Sequence, residues 1–183
     1  MYRNYTKIKK WETVGFFWII IVGSLLHFTY KWSGESSIVA IFSPVNESVW
    51  EHLKLGYFSL LLFSIIEYGF IKNDTNSFFI GKAIGVLAME IFIVIVFYAY
   101  TSITKEAVTF IDIGSFLVGA LICQLISYKI MKKEFSNMTN ILGLIIFILI
   151  GSSFILFTFY TPKLPIFMDP KTKKYGIDMV NPM

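Results

Sequence analysis

Charge is what this chain has least of. Only 15% of its 183 residues are Asp, Glu, Lys or Arg, where a soluble globular domain carries about 25%. Set against 56% hydrophobic residues gathered in long runs, that shortage excludes an ordinary soluble domain and points to a polytopic helical membrane protein. Cysteine is limited to Cys123, so no internal disulfide can form and the redox compartment stays undetermined. Histidine is limited to His27 and His52. HExxH, HxxxH and HxH patterns are therefore absent, as is GxSxG. Internal repeats and low-complexity segments are also missing. The net charge of +4 does not indicate a nucleic-acid partner, because the lysines fall between apolar runs. They read as topology signals, with the lipid bilayer as the partner.

Five apolar runs are present, each close to the ~20 helical residues needed to cross a bilayer core about 30 Å thick. They predict an all-α fold, a single integral membrane domain over 1–183, with spans at 13–32, 53–71, 80–100, 110–130 and 140–160. The basic residues before the first run resemble a signal peptide. That run is too long for one, however, and ends in His27-Phe28-Thr29-Tyr30-Lys31-Trp32 rather than a small-x-small cleavage site, so it reads as a retained span. The stretch 38–42 is too short to cross and is expected to be interfacial or re-entrant. Ser115, Gly119, Cys123 and Ser127 recur at four-residue spacing on the fourth span, and Gly81 and Gly85 lie on the third; both patterns predict close helix packing. Pro162, Pro165, Pro170 and Pro182 forbid a helix in the tail 161–183, which is expected to fold back onto the outer surface through Leu164, Ile166, Phe167 and Met168.

Lysine and arginine placement predicts the threading. With Arg3, Lys7, Lys9 and Lys10 inside, Lys72, Lys82, Lys129, Lys132 and Lys133 fall on the same side, nine in all. Lys31, Lys54 and Lys105 are the three in opposing loops, with four more in the tail. The amino terminus is thus expected to be cytoplasmic and the carboxyl terminus outside.

The densest polar stretch is Ser43-Pro44-Val45-Asn46-Glu47-Ser48-Val49-Trp50-Glu51-His52-Leu53-Lys54, running directly into the second span. Ser43 as cap with Pro44 in the first turn predicts a helical extension back to 44. At 1.5 Å per residue, 44–71 measures about 42 Å, so its first turns should stand at the outer interface. His27, in the outer third of the first span, and Asp112, near the outer start of the fourth, reach toward that level. Glu90 lies about 14 Å into the third span, a depth at which an ionisable group must be paired, protonated or facing water. The candidate ligand-binding cluster is therefore His27, Asn46, Glu47, Glu51, His52, Glu90 and Asp112. For Glu47, Glu51 and His52 the bland reading is a solvated helix start with a Glu51–Lys54 pair; for His27 it is an interhelical hydrogen bond, and for Glu90 a protonated or hydrogen-bonded carboxyl that holds helices together. A divalent metal on His27, Glu51 and His52 is the sharper reading, although Glu51 and His52 as helix neighbours point about 100° apart. Three functions stay open. One is binding or passing a small solute, cation or lipid at an outward-facing groove. Another is a membrane-embedded acid/base or metal enzyme, and the last is a structural or partner-binding subunit. No complete catalytic spacing favours the enzyme.

The block 43–54, together with Thr161-Pro162-Lys163-Leu164-Pro165-Ile166-Phe167 and the continuation through Asp169-Pro170 to Tyr175-Gly176-Ile177, resembles a family of small multi-spanning proteins of anaerobic Gram-positive bacteria, defined only as a domain of unknown function. The resemblance covers most of the chain and implies a bacterial integral membrane protein in which the two outer segments belong together. It carries no activity or ligand. This tail departs from the pattern in Lys171, Lys173 and Lys174.

Overall fold

The computed structural model describes residues 4–177. Five helices follow one another: α1 (Tyr5–Trp32), α2 (Val49–Ile71), α3 (Phe78–Thr104), α4 (Thr109–Met131) and α5 (Asn137–Phe159). Each is long and apolar enough to cross a membrane. The shortest, at 23 residues, measure about 35 Å. Among the described residues there is no strand, only an isolated bridge between Met168 and Tyr175. Side-chain caps start three helices: Asn4 accepts from Lys7 N, Ser48 from Glu51 N and Ser136 from Thr139 N.

The second helix is the centre of the bundle. Every residue from Leu53 to Leu60 is buried, and α2 packs against α1, α3 and α5. Its first half is enclosed by neighbours and has no solvent-facing stripe, while its second half leaves Leu62, Ile65, Ile66 and Phe70 outside. The peripheral helices leave longer rows of large apolar side chains outside, such as Phe17, Ile21, Leu25 and Phe28 on α1 and Ile141, Ile145 and Ile148 on α5. Such a surface suits hydrocarbon, not water. The expected small-residue seam forms between α3 and α4. Gly81 and Gly85 face Ser127 and Cys123, and Gly119 faces Met89 and Ile93. A Cβ on Gly85 would come within 2.7 Å of the Cys123 carbonyl.

Short turns close the bundle. At the end holding the start of α1, Lys7 pairs with Asp74 at 2.8 Å. There Thr75 and Ser77 donate to the carbonyls of Met131 and Lys133. We call this the amino end. At the opposite, tail end, residues 38–48 form a folded loop with one 3-10 turn (Val39–Ile41), and the tail folds over it.

Three expectations change. The second helix begins at Val49, four residues outward of 53, but 44–48 is non-helical because Ser48, not Ser43, is the cap. The Ser43 hydroxyl is used instead to pin the loop to α1, donating to Leu26 O at 2.6 Å and accepting from Tyr30 N at 3.1 Å. Finally, Lys54 and Lys82, read as loop lysines, are fully buried within α2 and α3. Each side of the lysine tally thus loses one, and its bias keeps its sign. Arg3 and Pro182 lie outside the described residues.

Candidate functional site

The loop 43–48 is built to overhang the first turn of α2. Asn46 Oδ1 accepts from Ser48 N at 2.9 Å, while its amide donates to Gly176 O at 3.0 Å. The Asp169 carboxylate accepts from Glu47 N at 3.3 Å and from the backbone of Lys171 and Thr172 at 2.7 and 3.1 Å. Burial raises the pKa of Asp169, but the amides of Thr172, Lys171 and Glu47 outweigh it and leave the carboxyl below its ordinary value. The tail is thereby clamped to the loop. Phe167 closes the joint, packed at a tilt against Trp50 and edge-on to Phe157 with centroids 4.8 and 5.6 Å away.

This clamp presents Glu47 to two imidazoles. His27 Nε2 and His52 Nε2 are 3.2 Å apart. The Glu47 carboxylate lies 4.0 Å from the first and 3.9 Å from the second. The three donor atoms fall within 4.8 Å of one another, and all three side chains are half-buried. His52 Nδ1 is 2.9 Å from Ser48 O. A carbonyl can only accept, so Nδ1 carries the proton and Nε2 of the neutral ring presents its lone pair to the cluster. Exposed Lys171 brings its ammonium to 3.6 Å from Glu47 Oε2.

The other expected site residues sort differently. Glu51 does not join the histidines. Its carboxylate turns inward, beneath the loop, where Oε2 accepts from Lys54 Nζ at 2.9 Å and Val45 N at 3.1 Å, and Oε1 accepts from the Thr158 hydroxyl at 2.8 Å. Lys54 completes its own set with Ala40 O at 2.6 Å and Thr158 Oγ1 at 2.9 Å. The Glu51–Lys54 pair is therefore present but buried, not solvated. Glu51 and His52 diverge as helix geometry requires, and Glu47, which is off the helix, takes the place beside the imidazoles. Asp112 accepts from Tyr100 at 2.6 Å, tying α4 to the end of α3. Glu90 is buried midway along α3, its Oε1 without a hydrogen bond, between turns that supply Val86, Met89 and Ile93 to the apolar core.

A second polar group escaped the sequence reading. Near the amino end, Lys82 Nζ lies 3.0 Å from Glu12 Oε1 and 2.6 Å from Glu67 Oε2. Gln124 Oε1 is 3.5 Å from the same ammonium. Ser127 donates to Glu12 Oε1 at 2.8 Å. The available signal was depth. Glu12, Glu67, Lys82 and Gln124 each stand one to two turns from an amino-side helix end, so threading brings them to one level.

The model of a family of unknown function, DUF6512, matches residues 1–177, and the chain belongs to that family. No curated protein and no solved structure matches it.

Proposed function

We propose that this DUF6512 member is a multi-pass protein of a bacterial cell membrane that binds a divalent transition-metal cation of the zinc class at its outer face, through His27, Glu47 and His52. The observation that carries this reading is the convergence of two imidazole Nε2 atoms, 3.2 Å apart, on one carboxylate. Ligands about 2.0–2.1 Å from a tetrahedral ion stand roughly 3.3 Å from each other, so the imidazoles already have the required separation. The two Glu47 oxygens face one imidazole each, at 4.0 and 3.9 Å, so bringing one of them to ligating distance needs an inward movement on the order of 1 Å. The Ser48 carbonyl on His52 Nδ1 is the outer-shell contact that orients a metal-binding imidazole. Two nitrogens and one oxygen suit zinc or its neighbours better than calcium or magnesium. The placement outside, with a cytoplasmic amino terminus, is supported by Lys7, Lys9, Lys10, Lys72, Lys129, Lys132 and Lys133 at the amino end, against Lys31 and Lys105 in the opposing loops.

Metal analysis of the full chain, stripped with chelator in detergent and reloaded with zinc, tests this. One zinc per chain is expected, lost in His27→Ala and in His52→Ala while Asp112→Asn retains it. Unchanged zinc content in both histidine variants would refute the site.

A metal-dependent enzyme is the second reading. It is favoured because three half-buried ligands leave a coordination position open, as catalytic zinc sites do. Cobalt in place of zinc reports on it: an open position shifts the visible spectrum when azide is added, and a closed one does not.

A further inference from the structure

The amino-end cluster poses a problem of charge. Glu12, Glu67 and Lys82 are all buried, with at most 3% exposure. If all three are ionised, two carboxylates face one ammonium and the site carries net charge −1 inside the bundle. An uncompensated charge there is strongly disfavoured. Among the described residues, the neighbouring groups do not supply the missing positive charge. Around the three, α4 contributes Gln124, Ser127 and the thiol of Cys123, and the rings of Phe63 and Phe78 lie 5.9 and 5.5 Å from the ammonium.

The hydrogen bonding is also incomplete. Glu12 Oε1 is doubly satisfied, by Lys82 and Ser127. Glu12 Oε2, both Glu67 oxygens and Gln124 Nε2 are buried and make no hydrogen bond. The Glu67 carboxylate meets Lys82 as an ion pair without hydrogen-bond alignment. Buried polar atoms are almost always partnered, so the three carboxylate oxygens of Glu12 and Glu67 left without a hydrogen bond, all acceptors, mark a place where a proton is held.

We propose that Glu12 and Glu67 share one exchangeable proton beside Lys82, making this cluster a buried proton-binding site. The proton brings the group to neutrality. Sharing follows from the arrangement: both carboxylates reach the same ammonium, so either can be the charged partner while the other carries the proton. The site is independent of the metal reading and lies far from it. His27 and Glu12 are fifteen residues apart on α1, as are His52 and Glu67 on α2, or about 22 Å along each helix. The same two helices therefore hold imidazoles at one end of the bundle and the proton at the other.

Infrared spectroscopy of the full chain in lipid nanodiscs at neutral pH tests this, on a Glu90→Gln background that removes the buried carboxyl of the apolar core, whose Oε1 makes no hydrogen bond. A protonated-carboxyl C=O band is expected, shifting in D2O. Glu51, also buried, is ion-paired with Lys54 and remains as a carboxylate; the band should be lost in Glu12→Gln and equally in Glu67→Gln, because either substitution leaves one carboxylate neutralised by Lys82. Lys82→Met should instead strengthen the band, which keeps the test available if a Gln variant does not fold. No band in the Glu90→Gln protein, or a band that only one of the two Gln substitutions removes, would overturn the shared proton. Absence of the band together with sodium-dependent melting would place a metal cation where the proton is proposed, and would overturn it too.

Discussion

Glu47 and Glu51 stand four residues apart and have opposite environments, because the helix boundary falls between them. Glu51 is on α2 and locked with Lys54 and Thr158 in the core. Removing one member of such a pair leaves a buried charge alone, typically costing about 3–5 kcal/mol. Lys54→Met should therefore lower the unfolding midpoint in detergent sharply, with Glu51→Gln/Lys54→Met recovering most of the loss. Equal midpoints for Lys54→Met and the parent would contradict the lock. Glu47 stands before the cap and is free to face the histidines. The sequence held the clue in Ser48-Val49-Trp50-Glu51, the spacing of a capping box. Ser43-Pro44 offered a second plausible start, and only the packing of Ser43 against α1 decides between them. The 100° divergence of Glu51 and His52 was legible from helix geometry, whereas Glu47 as the replacement was not, since its position depends on a loop held by residues more than 120 positions away.

Among the elements, the tail and the loop 43–48 act as one unit. Gly176 has φ +60°, and a Cβ there would strike Thr161 Oγ1. Gly176→Ala should cost about 1–3 kcal/mol of local strain and release the tail, which is read as faster amide exchange over 161–177 with α2 and α3 unchanged. Asp169→Ala removes the acceptor behind Glu47 without touching a proposed ligand. Loss of such an outer-shell partner typically weakens metal binding about 10–100-fold, measurable by competition with a zinc chelator. Because the folded Asp169 carboxyl lies below its ordinary value, its contribution to docking is present at neutral pH and is lost as pH falls below about 4. At the α3–α4 seam, Gly85→Leu should lower stability by about 1–3 kcal/mol through overpacking; an unchanged midpoint would contradict the contact. That seam was readable from four-residue spacing alone. Its partner, by contrast, came from the threading.

For the molecule as a whole, composition and run length were enough for five helices. The central place of α2 was not readable, since its polar start resembles a surface helix. The Glu12–Glu67–Lys82 cluster was missed for a related reason: a lysine or glutamate a few residues inside a span looks interfacial until its neighbours at the same depth are known. Threading ties both polar groups to opposite ends of the bundle. Single cysteines at Lys9 and Lys171, in a Cys123→Ala background, should label from opposite sides of sealed vesicles, and labelling from one side would refute the proposed orientation. The convergence of His27, Glu47 and His52 on one ion is tested most directly by the X-ray absorption fine structure of the zinc-loaded full chain. Two imidazole nitrogens and oxygen at about 2.0–2.1 Å, with the imidazole signature gone in the His27→Ala/His52→Ala protein, is the expected result. A first shell of sulfur, or of oxygen alone, would contradict it.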